Sequence, residues 1–228
     1  MIIGLLSTTD HPFCGYMHKI ISAKYKIDCL LLDTKKYDDK DLKLWRERTI
    51  NKIPYINILD INNSKVIYTN SHNDPELTTI IQERKIELLI NCGTPRILRK
   101  ETFNAPRIGV LNCHPGILPF YRGCSCVEWA LYNNDPVGNT CHLMSEKIDE
   151  GKIILSEKHD VKNFKSYQAI RTFLYLNSID LIIKSIQVLE KKDINEFECK
   201  LGGKYYHPID EEKMKQVFER YGDERIKN

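Results

Sequence analysis

The sequence predicts an α/β fold built on a doubly wound, mostly parallel sheet. Short apolar runs at residues 1–6, 27–33 and 86–91 have the length of buried strands. Stretches with helical periodicity separate these runs, as at 16–26 and 75–85. Such repeated alternation of strand and helix is typical of parallel sheets whose strands are connected by helices.

Local patterns define the elements of the first half. The apolar runs at its start predict a β-α-β unit, and Pro75 marks a helix start, because proline fits the first helical turn. Residues 34–51 are polar and show no element pattern. Two weak strand signals, at 54–60 and 66–68, flank the turn-like cluster Asn62-Asn63-Ser64 and predict a small hairpin.

The second half is predicted to end in a long helix and a short extension. Apolar residues recur at helical spacing over 167–190, which predicts one face docked on the sheet. After Glu190 the chain turns polar, so we predict a main domain over 1–190 and a C-terminal extension, 191–228, packed on it. The remaining predicted elements are strands at 108–113, 138–144 and 152–156 and helices at 126–132 and 211–221.

Composition and charge exclude several classes of protein. The 228 residues are 42% hydrophobic and 29% charged, which excludes a disordered or collagen-like chain. The net charge is only +3 and is spread along the sequence, so no nucleic-acid partner is expected. No apolar run approaches the ~20 residues of a membrane span, and residues 1–6 show neither a basic n-region nor a small-residue cleavage site. We therefore expect a cytoplasmic protein without a membrane partner.

The eight cysteines raise the question of disulfides or a metal site. In a cytoplasmic chain they are expected to be reduced thiols. Zinc is the alternative, because Cys113-His114, Cys124-x-Cys126 and Cys141-His142 contain enough ligands. Structural zinc ligands usually come in pairs with two to four residues between them, and a Cys-x-Cys step rarely allows tetrahedral geometry. We expect no metal.

The segment from Asn112 to Gly123 carries the clearest chemical signal. A strand that ends in Asn112-x-His114 points both side chains to one side, because strand residues alternate faces. It also delivers them to the carboxyl edge of the sheet, where ligands bind in open α/β folds. An amide such as that of Asn112 can donate a hydrogen bond to a developing oxyanion, and histidine is the side chain suited to proton transfer near neutral pH.

A carboxylate is available to complete this set. Asp149 lies in an Asp-x-Gly step before a strand, and a carboxylate beside an imidazole favours the protonated ring. Taken singly, each residue also has an ordinary structural interpretation: Asn112 as a turn residue, His114 as a hydrogen-bonded loop histidine and Asp149 as a loop cap.

Together, three segments resemble the tetrahydrofolate-dependent formyltransferases, the family of glycinamide ribonucleotide, methionyl-tRNA and sugar N-formyltransferases. They are Asn112 to Gly123, which includes Leu118-Pro119, then His142 to Met144, then the Asp-x-Gly-x-Ile-Ile segment from Asp149 to Ile154. The resemblance implies a Rossmann-like formyltransferase core and N10-formyltetrahydrofolate as the formyl donor. It also implies that Asn112, His114 and Asp149 are catalytic and that the Leu118–Pro119 bond is cis.

The resemblance further implies which residues bind the two substrates. The pterin of the donor is expected between the loop at 91–98 and the loop before the catalytic aspartate, at Pro95, Arg96, Ile97, Leu98, Glu146, Lys147 and Ile148. The acceptor is expected at Tyr121, Arg122, Gly123, Lys204 and Tyr205, because aromatic rings stack on bases and cations pair with phosphates. Packing of Tyr205 and Tyr206 against the core and surface solvation of Arg122 and Lys204 are equally open interpretations.

The parts outside the shared core favour one acceptor class. The loop from Ser7 to Gly15 contains Asp10 and Pro12 and is unlike a small-residue phosphate loop, which disfavours glycinamide ribonucleotide. The chain ends soon after the core and has little excess charge, which disfavours tRNA.

Elimination leaves the sugar N-formyltransferases, with a nucleotide-linked amino sugar as acceptor, expected to be a dTDP-4-amino-4,6-dideoxyhexose. The step from Gly203 to Tyr206 resembles a C-terminal aromatic segment of that group, in which a homodimer through the C-terminal lobe is also plausible. The alternatives are a phosphoribosylglycinamide formyltransferase and a non-catalytic folate or nucleotide-sugar binding module of the same fold.

Overall fold

Nine strands and seven α-helices form along residues 1–61 and 64–226, the part of the chain that the computed structural model describes. The strands are β1 (Ile3–Thr8), β2 (Ile27–Asp33), β3 (Lys65–Thr69), β4 (Leu88–Asn91), β5 (Gly109–His114), β6 (Tyr121–Gly123), β7 (Val137–Leu143), β8 (Ile153–His159) and β9 (Lys204–Tyr206). The helices are α1 (Cys14–Ser22), α2 (Asp39–Thr49), α3 (Pro75–Glu83), α4 (Lys100–Phe103), α5 (Cys126–Tyr132), α6 (Tyr167–Leu189) and α7 (Glu211–Tyr221). Seven strands form one mostly parallel sheet in the order β3-β2-β1-β4-β5-β7-β8, which confirms the predicted fold class.

The first of two compact units comprises residues 1–43, 53–112 and 143–146. Its strands β3, β2, β1, β4 and β5 are all parallel. β1, β2 and β4 are buried almost throughout, which explains why their sequences are continuous apolar runs. The order in which the chain adds strands reverses between β1 and β4, and ligands bind beside such a switch point in doubly wound sheets.

The second unit comprises residues 44–52, 113–142 and the chain from 147 onward. It contains the antiparallel pair β7 and β8 and a separate two-stranded parallel sheet of β6 and β9. Ser166 caps α6 and Asp210 caps α7, each by accepting a backbone N–H three residues ahead. The core of this unit gathers α5, α6, α7 and both strands of the small sheet, through Tyr121, Val127, Leu131, Tyr167, Ile170, Tyr206 and Val217.

A buried ion cluster lies in the second unit around Glu128 of α5, which is only 2% exposed. Its Oε1 lies 3.2 Å from Arg48 Nε and 3.6 Å from Arg171 Nε and accepts a hydrogen bond of 2.5 Å from the Tyr167 hydroxyl. Burial alone would raise the pKa of Glu128, but the two arginines and the tyrosine outweigh it and lower the pKa to about 2. The cluster ties α2, α5 and α6 together.

The helix α6 is buried on more than the one face that its periodicity predicts. Buried polar side chains find partners along it: Gln168 donates to Asp223 at 2.7 Å, and Ser185 donates to the Leu181 carbonyl at 2.7 Å. By length and composition alone this helix could cross a membrane. Within its most apolar 18 residues, 56% are buried inside the protein, as in the core helix of a soluble protein.

Most predicted elements are confirmed to within a few residues, but the region before α3 differs. The predicted hairpin is wrong, because 58–60 is a 3₁₀ turn and β3 pairs in parallel with β2. Asn62 and Asn63 of the predicted turn lie outside the described residues. The helix α2 went unpredicted because, apart from Thr49, its residues are exposed or half-buried, so it has little apolar stripe.

Two short strands, β6 and β9, were also absent from the prediction, since three residues are too few for a pattern. After residue 190 the chain contributes β9 to the second unit, where β9 pairs in parallel with β6. The boundary between 1–190 and 191–228 stays a prediction.

Candidate active site

The strand β5 ends with Asn112 and His114 on one face, as the sequence predicts. His114 is 5% exposed, and its Nε2 lies 2.8 Å from the Tyr121 carbonyl. Because a carbonyl only accepts, Nε2 carries a proton and donates it. Its Nδ1 faces Asp149 Oδ2 at 3.5 Å. Both ring nitrogens therefore face acceptors.

Asp149 is held between two histidines and a backbone N–H. Its Oδ2 accepts a hydrogen bond of 2.8 Å from Gly123 N, and its Oδ1 lies 3.6 Å from Nε2 of the buried His142 on β7. Asp149 adopts a left-handed conformation with φ +57°, which aspartate tolerates better than most residues. The carboxylate that the sequence predicts to meet His114 does so, with His142 as an additional neighbour.

His142 and Asn91 are contacts of the predicted trio that sequence reasoning missed as site residues. His142 stands in the His-x-hydrophobic segment that supported the family resemblance, which was its only signal. Asn91 ends β4 and donates from Nδ2 to Asn112 Oδ1 at 3.0 Å. Its only sequence signal was a polar residue at the end of an apolar strand.

The loop expected to hold the pterin offers an exposed aliphatic side chain. Ile97 is 75% exposed, whereas Leu98 is buried in the core of its unit. Arg96 is fixed by Asp33, with Nε to Oδ2 at 2.6 Å, and this pairing raises the pKa of the guanidinium. The Pro95 carbonyl accepts from Lys35 Nζ at 3.4 Å.

In the loop before Asp149, Glu146, Lys147 and Ile148 are exposed. The Ile148 carbonyl accepts from Arg122 Nε at 3.3 Å. Arg122, predicted to meet a diphosphate, also pairs with Glu150 at 2.5 Å. A phosphate at this position would therefore compete with a carboxylate for the guanidinium.

The tyrosines predicted to stack on a nucleotide base differ in exposure. Tyr121 is 6% exposed, and its ring stacks on Tyr206 with centroids 4.9 Å apart. The packing interpretation therefore holds for Tyr206, and one face of Tyr121 is already covered. Tyr205 keeps 39% of its surface exposed, and Lys204 places Nζ 4.8 Å from the Tyr206 ring. Phe120, which the sequence prediction did not include, is 63% exposed.

Gly123 and the loop before it have constrained backbones. Gly123 adopts φ +91°, and a Cβ there would lie 2.4 Å from the Tyr206 carbonyl, so the position requires glycine. The Leu118–Pro119 bond is cis, as the resemblance implies.

The cysteines are free thiols, as expected. Cys113 and Cys141 contact each other, and Cys126 donates weakly to the Gly123 carbonyl at 3.5 Å. Within 1–61 and 64–226, no group of three or more His, Cys, Asp or Glu side chains is arranged to hold a metal ion.

Comparison with known proteins identifies relatives in one family. A methionyl-tRNA formyltransferase from Clostridium beijerinckii is 32% identical over 123 residues, which are 54% of this chain and 40% of the relative. The chain thus spans less than half the length of that relative.

Solved structures share the fold. A sugar N-formyltransferase from Shewanella sp FDAARGOS_354 superposes with a TM-score of 0.58 at 20% identity over 92% of this chain and 77% of that one. A phosphoribosylglycinamide formyltransferase from Anaplasma phagocytophilum gives 0.64 at 16% identity over 91% and 99%. At these identities the likeness concerns the fold alone. Residues 7–174, more than half of the 228, match the formyl transferase family, and the chain therefore belongs to that family.

Proposed function

We propose that this protein is a sugar N-formyltransferase, which moves a formyl group from N10-formyltetrahydrofolate to the amine of a nucleotide-linked amino sugar. The observation that carries the proposal is the contact between His114 and Asp149 at 3.5 Å, on a strand that also presents Asn112. A binding module would not need an amide, an imidazole and a carboxylate at these positions. The expected acceptor is a dTDP-4-amino-4,6-dideoxyhexose.

In the proposed reaction the substrate amine attacks the formyl carbon of the donor. A carbon–nitrogen bond forms to the acceptor, the bond from the formyl carbon to N10 of the folate breaks, and N10 takes up, by way of Asp149, the proton that the amine releases. The amide NH₂ of Asn112 and the protonated imidazole of His114 stabilise the oxyanion of the tetrahedral intermediate. Asp149 accepts the proton that the amine releases.

The contacts of His114 decide which nitrogen takes part. Its Nε2 is committed to the Tyr121 carbonyl at 2.8 Å. The distance of 3.5 Å from Nδ1 to Asp149 is longer than the ~2.8 Å of a charge-assisted hydrogen bond. Nδ1 is therefore the ring nitrogen that is available to the reacting group. The exposed side chains of Ile97 and Ile148 supply apolar surface for the pterin.

The acceptor is identified by incubating purified protein with N10-formyltetrahydrofolate and separate acceptors: dTDP-, UDP- and GDP-linked amino sugars, glycinamide ribonucleotide and methionyl-tRNA. Mass spectrometry of each acceptor should show addition of one formyl group to an amino sugar. Formylation of glycinamide ribonucleotide would instead favour the alternative, a phosphoribosylglycinamide formyltransferase. Tight folate binding without any product would favour the non-catalytic module.

The catalytic assignment is tested by Asn112→Ala, His114→Ala and Asp149→Asn. Each should lower kcat by roughly 10²-fold or more, because each removes an oxyanion donor or the proton acceptor. Asp160→Asn is the matched control, since this aspartate is 69% exposed and lies 3.8 Å from Lys162 Nζ, and asparagine keeps the oxygen that accepts the Lys162 N–H at 3.0 Å. Wild-type rates in folded variants of the trio would refute the assignment.

The proposal includes a cytoplasmic location, no nucleic-acid or membrane partner, and a homodimer formed through the C-terminal lobe. Sedimentation of the purified protein measures the oligomeric state directly.

A further inference from the structure

We propose that Asn91 is a positioning residue, which fixes the amide of Asn112 in the orientation that presents its NH₂ group to the reacting carbonyl. This inference rests on the proposed formyl transfer and deepens it. An asparagine side chain has a donor end and an acceptor end of nearly equal size, so its use as an oxyanion donor requires that something select one of two orientations.

The orientation of Asn91 is determined by the backbone. Its Oδ1 accepts hydrogen bonds from Gly93 N at 3.0 Å and from Thr94 N at 2.9 Å. A backbone N–H can only donate, so the oxygen of Asn91 must face these two groups. The other end of the amide is therefore the NH₂ group, and it lies 3.0 Å from Asn112.

The orientation of Asn112 follows from that of Asn91. A group that receives a hydrogen bond from the Asn91 NH₂ must be an acceptor, so Asn112 turns Oδ1 toward Asn91. Its Nδ2 then points away from Asn91. The reverse orientation would place two NH₂ groups against each other and would turn a carbonyl oxygen toward the developing oxyanion, which it repels.

Strand register and a tight turn hold the two asparagines in place. β4 and β5 pair in parallel with Ile90 opposite Leu111, so the next residues of both strands, Asn91 and Asn112, lie side by side on one face. Gly93 has φ +99°, and a Cβ there would lie 2.5 Å from the His11 ring. This turn directs the N–H groups of Gly93 and Thr94 onto one oxygen.

The test is Asn91→Asp in the full chain. Aspartate keeps an oxygen for Gly93 and Thr94 but replaces the NH₂ group with a second oxygen, which accepts from Asn112 and turns that amide around. We expect kcat to fall by roughly 10²-fold, as for loss of an oxyanion donor, with KM nearly unchanged. In the Asn112→Ala background the same substitution should change kcat by less than about twofold, because the amide it acts through is gone.

A second variant and a control separate positioning from general damage. Asn91→Ser keeps a side-chain oxygen that can accept from the backbone N–H groups, and it adds no charge. It should cause a smaller loss of kcat because Asn112 can then take both orientations. Asn57→Asp is the matched control, since the Asn57 oxygen also accepts a backbone N–H, from Leu59 at 3.1 Å. It should leave kcat at the wild-type value.

Thermal unfolding midpoints of the wild type, Asn91→Asp, Asn112→Ala and the double variant give a readout independent of formyl transfer. Midpoint shifts of Asn91→Asp and Asn112→Ala that are not additive support the pairing. Wild-type kcat in Asn91→Asp, or an equal loss of kcat in the Asn112→Ala background, would overturn the inference. If the wild type formylates no acceptor, the proposed function falls; non-additive midpoints would then still support the orientation of Asn112 by Asn91, and additive midpoints would overturn it.

Discussion

Replacing Glu128 by glutamine should lower the free energy of unfolding by about 3–5 kcal/mol, the range found when one partner of a buried ion pair is removed. Glutamine keeps the shape of the side chain and a hydrogen bond to Tyr167, so the change isolates the charge. It leaves Arg171, whose side chain is 3% exposed, and Arg48 without their carboxylate in the interior of the second unit.

The pH dependence of stability gives an independent magnitude for the same interaction. The pKa of Glu128 is lowered from 4.5 to about 2, a difference worth about 3 kcal/mol. Because the pKa is lower in the folded protein, this stabilisation is present above pH 4.5 and is lost as the pH falls toward 2. In Glu128→Gln the free energy of unfolding should fall less steeply over the same acid range.

The assay is urea unfolding followed by circular dichroism at several pH values between 2 and 7. Glu219→Gln is the control, because that carboxylate is 64% exposed and its change should stay within about 0.5 kcal/mol. Two results would refute the attribution of stability to this cluster. One is a decrease in unfolding free energy of under 1 kcal/mol for Glu128→Gln at pH 7; the other is the same dependence of unfolding free energy on acid pH as in the wild type.

Two further predictions concern the backbone beside the site and the thiols. Gly123→Ala should lower the unfolding free energy by about 1–3 kcal/mol and reduce formyl transfer, because its Cβ would meet the Tyr206 carbonyl. Gly202→Ala is the control, with stability measured by calorimetry. Gly202 also has a positive φ, but a Cβ added there would have no atom within 4 Å. Cys124 and Cys199 are exposed and should react with Ellman's reagent in the folded protein, whereas burial raises the pKa of Cys29 to about 12, so this thiol should react only after unfolding.

The parts of the fold that were predictable are those where one side of an element meets the core. β2 matches its predicted bounds of 27–33 because an apolar run of this length, bounded by polar residues, is too short for a typical helix and fits a buried strand. α2 gave no such signal, since most of its residues face solvent. The strand β3 was predicted at 66–68, but its pairing was not, because its partner β2 lies more than 30 residues earlier in the sequence.

The site divides in the same way. Asn112, His114 and Asp149 stand in recognisable segments, and the contact between His114 and Asp149 could be predicted from them. The importance of Asn91 depends on β4 being the neighbour of β5 in a given register, which no local pattern encodes. His142 likewise gains its meaning from the carboxylate that meets it.

The pairing of β6 with β9 has a consequence for the order of events during synthesis. The strand β6, which follows His114 in the chain, pairs with β9 at 204–206, near the end of the described chain. Asn112, His114 and Asp149 are therefore synthesised well before β9, the strand that pairs with β6 in the loop between His114 and Asp149. We expect the β6–β9 pair to form only after residue 206 has left the ribosome, so products that terminate before β9 should lack the proposed formyl transfer.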